Sequence, residues 1–387
     1  MQSALVLGGG VMGLSAAWAL ARAGHAVRVV EQDPVPNPRG SSVDDHRLIR
    51  HAYGAARGYM RMIDPAFAAW RLLFEEAGES PYVETGVLAL ANARHGWLAE
   101  SRAALRADGH AVSDLDAAAV AARYPYLSAD GIADAFHLPA GGVLLARRIV
   151  ELLSRLLGRR GVEIRRGRAV ALDPARGGLV LEDGTRLQAD LLVVAAGPWA
   201  PRLLPDLGKQ VRSTRQILVR LAPPPEHEAA WQRAPMLLDL AEDGGFYAVP
   251  PVAGTPLKIG DHRFAPIDHP LGDPDAPRQA SAAEAAEILD FARRRIRGLD
   301  RYRVLSAAAC YYDVEAEERF VVERLGTQAF VMSGFSGHGF KFGALLGLAL
   351  ARAAADADLA RALPGWAAGT TPPPAGLLAD LRMGVGA

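Results

Sequence analysis

The sequence predicts a mixed α/β and α+β protein of two domains: a Rossmann-like dinucleotide-binding domain assembled from separate stretches, and an inserted mixed-sheet domain. Three observations carry this. A strand–glycine loop–helix–strand opens the chain. A continuous apolar run, LLVVA at 191–195, stops at a glycine near the middle. A second strand–glycine loop–helix stands near the end. An unbroken apolar run is what a parallel strand requires when helices cover both faces of its sheet.

In chain order, residues 4–7 read as a buried strand and 14–23 as an Ala-rich helix ended by Gly24. Residues 26–30 read as a second strand with Glu31 at its end. Between strand and helix, Gly8, Gly10 and Gly13 fit G-x-G-x-x-G in the βαβ context that gives the motif meaning. The first glycine permits the tight turn, the second lets the backbone approach a pyrophosphate, and the third lets helix and strand pack closely. Val11 and Met12 complete the loop, where the helix start offers unpaired N–H groups to phosphate. Glu31, 18 residues past Gly13 and followed by Gln32, is placed to accept hydrogen bonds from a ribose. A carboxylate there repels the extra phosphate of NADP, so FAD or NAD is expected.

Residues 33–42 form a Pro/Gly-rich loop, followed by DDHRLIRH at 44–51. On a helical turn, Arg47 and Arg50 there share a face. Residues 60–76 read as an amphipathic helix, 82–90 as a strand, 114–123 as a helix, and 142–157 as a turn and helix. Short strands are expected at 161–164, 169–172 and 179–182. The 191–195 run is expected to return to the first sheet. The Pro-richer section 211–312 holds strand-like pieces at 217–221, 246–249 and 257–259 and a helix at 282–297. Residues 330–332 read as a strand, 334–342 as a Gly-rich loop, and the following helix runs to 355; 370–374 reads as irregular. The dinucleotide domain is therefore assigned 1–80, 143–206 and 313–387, and the inserted domain 81–142 and 207–312. A site at the seam between them is expected.

The 387 residues are half hydrophobic and carry zero net charge, which argues against a nucleic-acid partner. The densest basic stretch, 155–168, has no interleaved aromatics for base stacking and reads as a solvated edge. The N-terminal apolar run is broken by glycines and has no basic residue before Arg22, so no signal peptide is expected. The apolar run 342–351 is too short to span a bilayer. A single cysteine, Cys310, excludes an internal disulfide and any CxxC metal site. A cytoplasmic monomer with no membrane partner is the expectation.

Only three of 43 cationic side chains are lysine: Lys209, Lys258 and Lys341. In so Arg-rich a chain, a lysine marks a place where a compact, tunable ammonium is wanted. Lys341 stands at the start of the late helix, where the dipole disfavours a cation unless an anion is near. If the cofactor is a flavin, that helix start also favours the negative charge the ring gains on reduction. Other chemistries are excluded. GFSGH at 334–338 lacks the last glycine of G-x-S-x-G. His46 and His51, five apart, share no helical face for a metal.

The segments RLIRHAYG (47–54), AAGPW (195–199), LKIG (257–260) with His262, Cys310 with Tyr312, and GFSGHGFKF (334–342), together with Gly8–Gly13 and Glu31, carry a resemblance. Over residues 4–366 the chain resembles the monomeric sarcosine oxidase and N-methyltryptophan oxidase family of FAD-dependent amine oxidases, within the D-amino-acid-oxidase superfamily. The resemblance implies a glutathione-reductase-like FAD domain, a small-molecule amine substrate and O2 as oxidant. It implies that Cys310 bonds covalently to the flavin and that Lys258 activates O2. It implies that Arg50 and Lys341 clamp a substrate carboxylate, that Arg47 lies close to the flavin, and that His262, Tyr312 and Tyr247 surround the substrate amine. His46, Val170, Gly197, Gly337, His338, Gly339 and Phe340 join the implied cofactor contacts. The family loop before the first arginine is usually His-His-Gly-Asp-Thr; here Ser42, Val43, Asp44, Asp45 and His46 stand in its place. The implied reaction is oxidation of a secondary amine or cyclic imino acid carrying a carboxylate to an imine, with H2O2 as co-product. A dehydrogenase serving an electron carrier, or a tailoring oxidase for a larger imino acid, are the alternatives.

Overall fold

The computed structural model describes residues 1–94, 96–240, 245–261, 263 and 272–381. A six-stranded sheet forms around Ser3–Leu7, which lies between Leu191–Val194 and Ala26–Glu31, all parallel. Ala329–Ser333 and Glu163–Arg166 extend the sheet in parallel on either side, and Val321–Arg324 closes one edge antiparallel. The 191–195 run thus returns to the first sheet, as its unbroken apolarity predicts. Its residues are fully buried, as helices on both faces require. The helices Val11–Arg22 and Gly343–Ala355 pack against each other on this sheet. A Cβ on Gly347 would stand 2.5 Å from the Ser15 carbonyl oxygen, so only glycine permits that approach.

The second large sheet has eight strands. Arg303–Glu315 and Val211–Ala222 form a long antiparallel pair in which Cys310 faces Gln216 and Tyr312 faces Thr214. Leu257–Asp261, Phe246–Val249, Met236–Asp239, Val87–Ala91, Asp134–Leu138 and Ser113–Asp114 follow in that order. Register sets Lys258 opposite Arg220 on one side and Val249 on the other. A small sheet of Arg47–Ile49, Gly142–Leu144 and Tyr82–Glu84 carries the RLIRHAYG segment.

The expected helical turn at 44–51 is not formed. Arg47–Ile49 is extended and pairs with Gly142–Leu144, so Arg47 and Arg50 share no helical face. The expected helix 60–76 divides into Arg57–Arg61 and Ile63–Ala77. The expected strand 82–90 breaks at Gly86, whose φ of 72° leaves the β region and yields two strands. The helix expected at 114–123 begins at Ala117, because the Asp116 side chain caps it by accepting from the Ala119 N–H. The helix expected at 282–297 ends at Arg293. Among the described residues no helix is long and apolar enough to cross a membrane.

Candidate active site

Two cavities meet where the sheets approach each other. The wall of the first begins at the loop Gly8–Met12 and includes Glu31, Gln32 and Gly197. Gly8 has φ +117°, and a Cβ on it would stand 2.2 Å from the Ala195 carbonyl oxygen. Gly13 lies behind the wall; a Cβ there would reach 1.9 Å from the Gly8 carbonyl oxygen. The loop is therefore closed onto a strand end and a helix start in a shape no side chain permits, and the Val11 N–H at the helix start donates to Ser42 Oγ (3.0 Å). Glu31 is buried and accepts hydrogen bonds from the Gly9 N–H (2.6 Å), the Asp33 N–H (3.1 Å) and Asn37 Nδ2 (2.9 Å). Burial raises its carboxyl pKa, and these three donors oppose the rise.

Arg47, Tyr312, Gly337 and Phe340 line both cavities and mark the passage between them. The second cavity, about 610 Å³, is further lined by Arg50, Tyr53, Trp97, Tyr247, Lys258 and Lys341. That volume lies in the ordinary range for small-molecule sites. A cavity with a glycine-lined end thus shares a wall with a cation-rich chamber, an arrangement suited to a long cofactor with its reactive end in the chamber.

The sequence matches the FAD dependent oxidoreductase family over residues 3–353. The chain belongs to that family. It is similar to N-methyl-L-tryptophan oxidase of Citrobacter koseri, with 28% identity over 359 residues covering 89% of this chain and 92% of that one. Its fold matches fructosamine oxidase (Amadoriase II) of Aspergillus fumigatus, with TM-score 0.78 at 22% identity, covering 98% of this chain and 88% of that one. It also matches L-proline dehydrogenase of P. horikoshii, with TM-score 0.79 at 17% identity, covering 95% and 97%.

In this FAD-dependent oxidoreductase the chamber holds two basic side chains, Arg50, partly buried, and Lys341, buried, that lack a carboxylate partner among the described residues. The Arg50 guanidinium lies 5.0 Å from the Tyr53 ring and 5.4 Å from the Trp97 ring, and donates to the Ala52 carbonyl. Lys341 Nζ donates to Tyr53 Oη (2.9 Å) and to the His338 carbonyl (3.1 Å). Among the described residues no carboxylate pairs with either. Burial lowers the Arg50 pKa, and burial with Arg50 nearby holds Lys341 well below its usual value. Unpaired buried charge is costly, so the pair is poised for an anion.

Lys258 has a different environment. Its Nζ donates to Asp44 Oδ2 (2.5 Å) and to the His46 carbonyl (2.8 Å). Asp44 is buried and also accepts from Arg47 Nη1 (2.5 Å) and Arg220 Nη2 (2.7 Å). Burial disfavours the Asp44 charge, but the three cations override it and hold its carboxyl well below the usual range. Burial pulls Lys258 down, Asp44 pulls it back, Arg47 and Arg220 push it down again, and the balance lies at about 8. The Tyr247 and Tyr312 phenols are raised by burial and are neutral. Cys310 is buried, shares its strand face with Tyr312, and has its thiol pKa raised by burial against the opposing Arg47.

The other expected residues are distributed as follows. Val11, Met12, Gly337, Gly339 and Phe340 line the nucleotide cavity. His338 lines the chamber instead, its ring held neutral with a pKa of about 3 by burial and Lys341. Val170 is 52% exposed and absent from the wall; Ala169 lines it, because neighbouring strand residues face opposite ways. The His46 ring points to Thr255 Oγ1 (2.5 Å), away from the cavity, and only its carbonyl enters the cluster. His262 lies outside the described residues. Sequence reasoning missed Asp44, Arg220 and Trp97 as parts of the site. It also missed Gln216, a buried chamber residue whose amide nitrogen has no partner. Asp44 in the sequence is one of two adjacent acids in a loop, a setting that usually means solvent; only the strand 257–261 laid beside it shows otherwise.

Proposed function

We propose that the protein oxidises a secondary amine or cyclic imino acid bearing a carboxylate to the imine, the two electrons and two protons leaving as H2O2. The observation that carries this is the pair Arg50, partly buried, and Lys341, buried, neither with a carboxylate partner among the described residues, in the same chamber as Lys258 and next to the passage from the nucleotide cavity. The Arg50 fork binds both carboxylate oxygens and Lys341 adds a third charged contact. Tyr247 and Tyr312 remain neutral and flank the amine, which must be uncharged to release hydride from its neighbouring carbon. A flavin held by the Gly8–Met12 loop, Glu31 and Gly197 would supply the acceptor for that hydride and the route of its electrons to O2. Lys258 supplies positive charge where O2 gains its first electron. The name of the Citrobacter relative, an N-methyl amino acid oxidase, agrees with this substrate class.

Cys310 carries the flavin covalently in this reading. The six-stranded and eight-stranded sheets are the cores of an FAD domain (1–80, 143–206, 313–387) and a substrate domain (81–142, 207–312), in a cytoplasmic monomer. Anaerobic addition of N-alkyl and cyclic amino acids is expected to bleach the flavin band; a panel with no bleaching member contradicts the reading. Acid precipitation should leave yellow colour in the wild-type pellet and none in Cys310→Ser. A second reading, a dehydrogenase serving a carrier, is favoured by one observation: Asp44 partly compensates the Lys258 charge. Oxygen-electrode traces with and without an acceptor dye separate the two.

A further inference from the structure

We propose that Asp44 is a positioning residue for Lys258: its buried carboxylate anchors the ε-ammonium at the edge of the chamber and keeps it charged there. The proposal rests on the oxidase reading above and deepens it.

The geometry is that of a built clamp. Asp44 Oδ2 accepts from Lys258 Nζ and from Arg47 Nη1, both at 2.5 Å. Asp44 Oδ1 accepts from Arg220 Nη2 at 2.7 Å and from the Asp45 N–H at 2.8 Å. Every accepting direction of this carboxylate is thereby engaged. An ammonium has three protons. Two of those on Lys258 are committed, to Asp44 and the His46 carbonyl, and the side chain lines the chamber with its Nζ 6.0 Å from the Tyr247 ring centre. Anchoring two protons fixes the direction of the third.

Charge arithmetic shows why the carboxylate is needed. The groups facing Lys258 come from four directions. The 44–47 loop brings Asp44, His46 and Arg47, Val211–Ala222 brings Arg220, the chamber wall brings Tyr247 and Tyr312, and the strand Arg303–Glu315 brings Cys310 from outside that wall. The His46 ring is neutral, its pKa lowered to about 3, first by burial and then by Lys258. Burial likewise raises both phenols and the thiol, which favours their neutral forms. What remains is Lys258, Arg47 and Arg220 against Asp44 and Asp45, which binds Arg220 at 2.7 Å. Without Asp44, a desolvated amine faces two guanidiniums with no carboxylate in contact, and deprotonation is the favoured relief.

The chain's three lysines make a direct test possible. Holoenzyme carrying lysine labelled with ¹³C at Cε and ¹⁵N at Nζ gives three signals, assigned with Lys209→Arg and Lys258→Met. In the wild type the Lys258 signal is expected to titrate near pH 8. In Asp44→Asn its midpoint should fall by at least about one pH unit, and Asp44→Glu should restore it. An unchanged midpoint in Asp44→Asn overturns the proposal. If Asp44→Asn does not fold, a wild-type midpoint far enough below about 8 to leave the amine neutral at neutral pH overturns it, and a midpoint at or above about 8 kept in Asp44→Glu supports it. In parallel, photoreduced holoenzyme is mixed with O2 without substrate. Asp44→Asn should reoxidise at least about five-fold more slowly at pH 8, and the gap should close at lower pH, where Lys258 is protonated in both forms. Faster reoxidation in the variant overturns the proposal. Wild-type enzyme inert to O2 refutes the oxidase reading, while the lysine titration still decides the Asp44–Lys258 pairing.

Discussion

Lys258→Met is expected to leave flavin reduction by substrate largely intact while slowing reoxidation by O2 by about two to three orders of magnitude. The argument starts from burial. Lys258 is 2% exposed, so its charge acts through a poorly screening medium. The first electron taken up by O2 creates an anion from a neutral molecule, and a preorganised cation stabilises that charge as it develops. Removing one such group in a closed site typically costs about 3–4 kcal/mol of barrier, which sets the expected range. The reductive step moves a hydride and depends on how the carboxylate and amine are held, which Arg50, Lys341 and the two tyrosines govern. Methionine preserves the length of the side chain and leaves Asp44 paired with Arg47 and Arg220, so no buried carboxylate is stranded. Stopped-flow reduction under anaerobiosis, followed by mixing the reduced enzyme with O2, measures the two steps separately. Equal loss in both steps contradicts the assigned role.

Much of the fold is written locally in the chain. The strand 3–7, the glycine turn and the helix after it each carry their own signal: an apolar run, a forced φ at Gly8, an Ala-rich stretch. The run 191–195 adds the signature of a doubly covered parallel strand. The errors fall where the deciding partner is distant. Arg47–Ile49 is a strand because Gly142–Leu144, some ninety residues on, lies beside it, and nothing within 44–51 indicates that. Val170, implied by the resemblance, is exposed while its neighbour Ala169 lines the cavity, a one-residue difference that a short strand exposed along most of its length does not reveal. The site divides in the same way. Scarcity of lysine marks Lys258 and Lys341 independently of any resemblance. Asp44 leaves no such trace, since a charged loop residue is ordinarily solvated, and its burial follows from three strands converging on one carboxylate.

The Arg50–Lys341 pair yields the second large effect. Binding of a simple aromatic carboxylate without an oxidisable amine, such as phenylacetate, is expected to take up a proton and to weaken as pH rises. In the free protein Lys341 is held well below its usual pKa by burial and by Arg50. A carboxylate brought into contact stabilises the ammonium and raises that pKa. Below the free pKa the amine is already charged, and binding needs no proton. Between the free and bound pKa, binding must protonate it, so affinity falls by up to about ten-fold per pH unit. Lys341→Met should abolish this proton uptake and weaken the ligand by about 100-fold, the worth of one charged hydrogen bond at the upper end of its range. Arg50→Lys should not restore full affinity if the arginine is altered, because a point charge cannot reproduce the planar fork. Calorimetry in two buffers of different ionisation heat counts the proton directly, and perturbation of the flavin spectrum gives the affinity. A ligand that binds with no proton uptake and is indifferent to Lys341→Met would mean the anion is held elsewhere. The unpaired cations would then need another counterion, and the chamber would lose its claim to an amino-acid substrate.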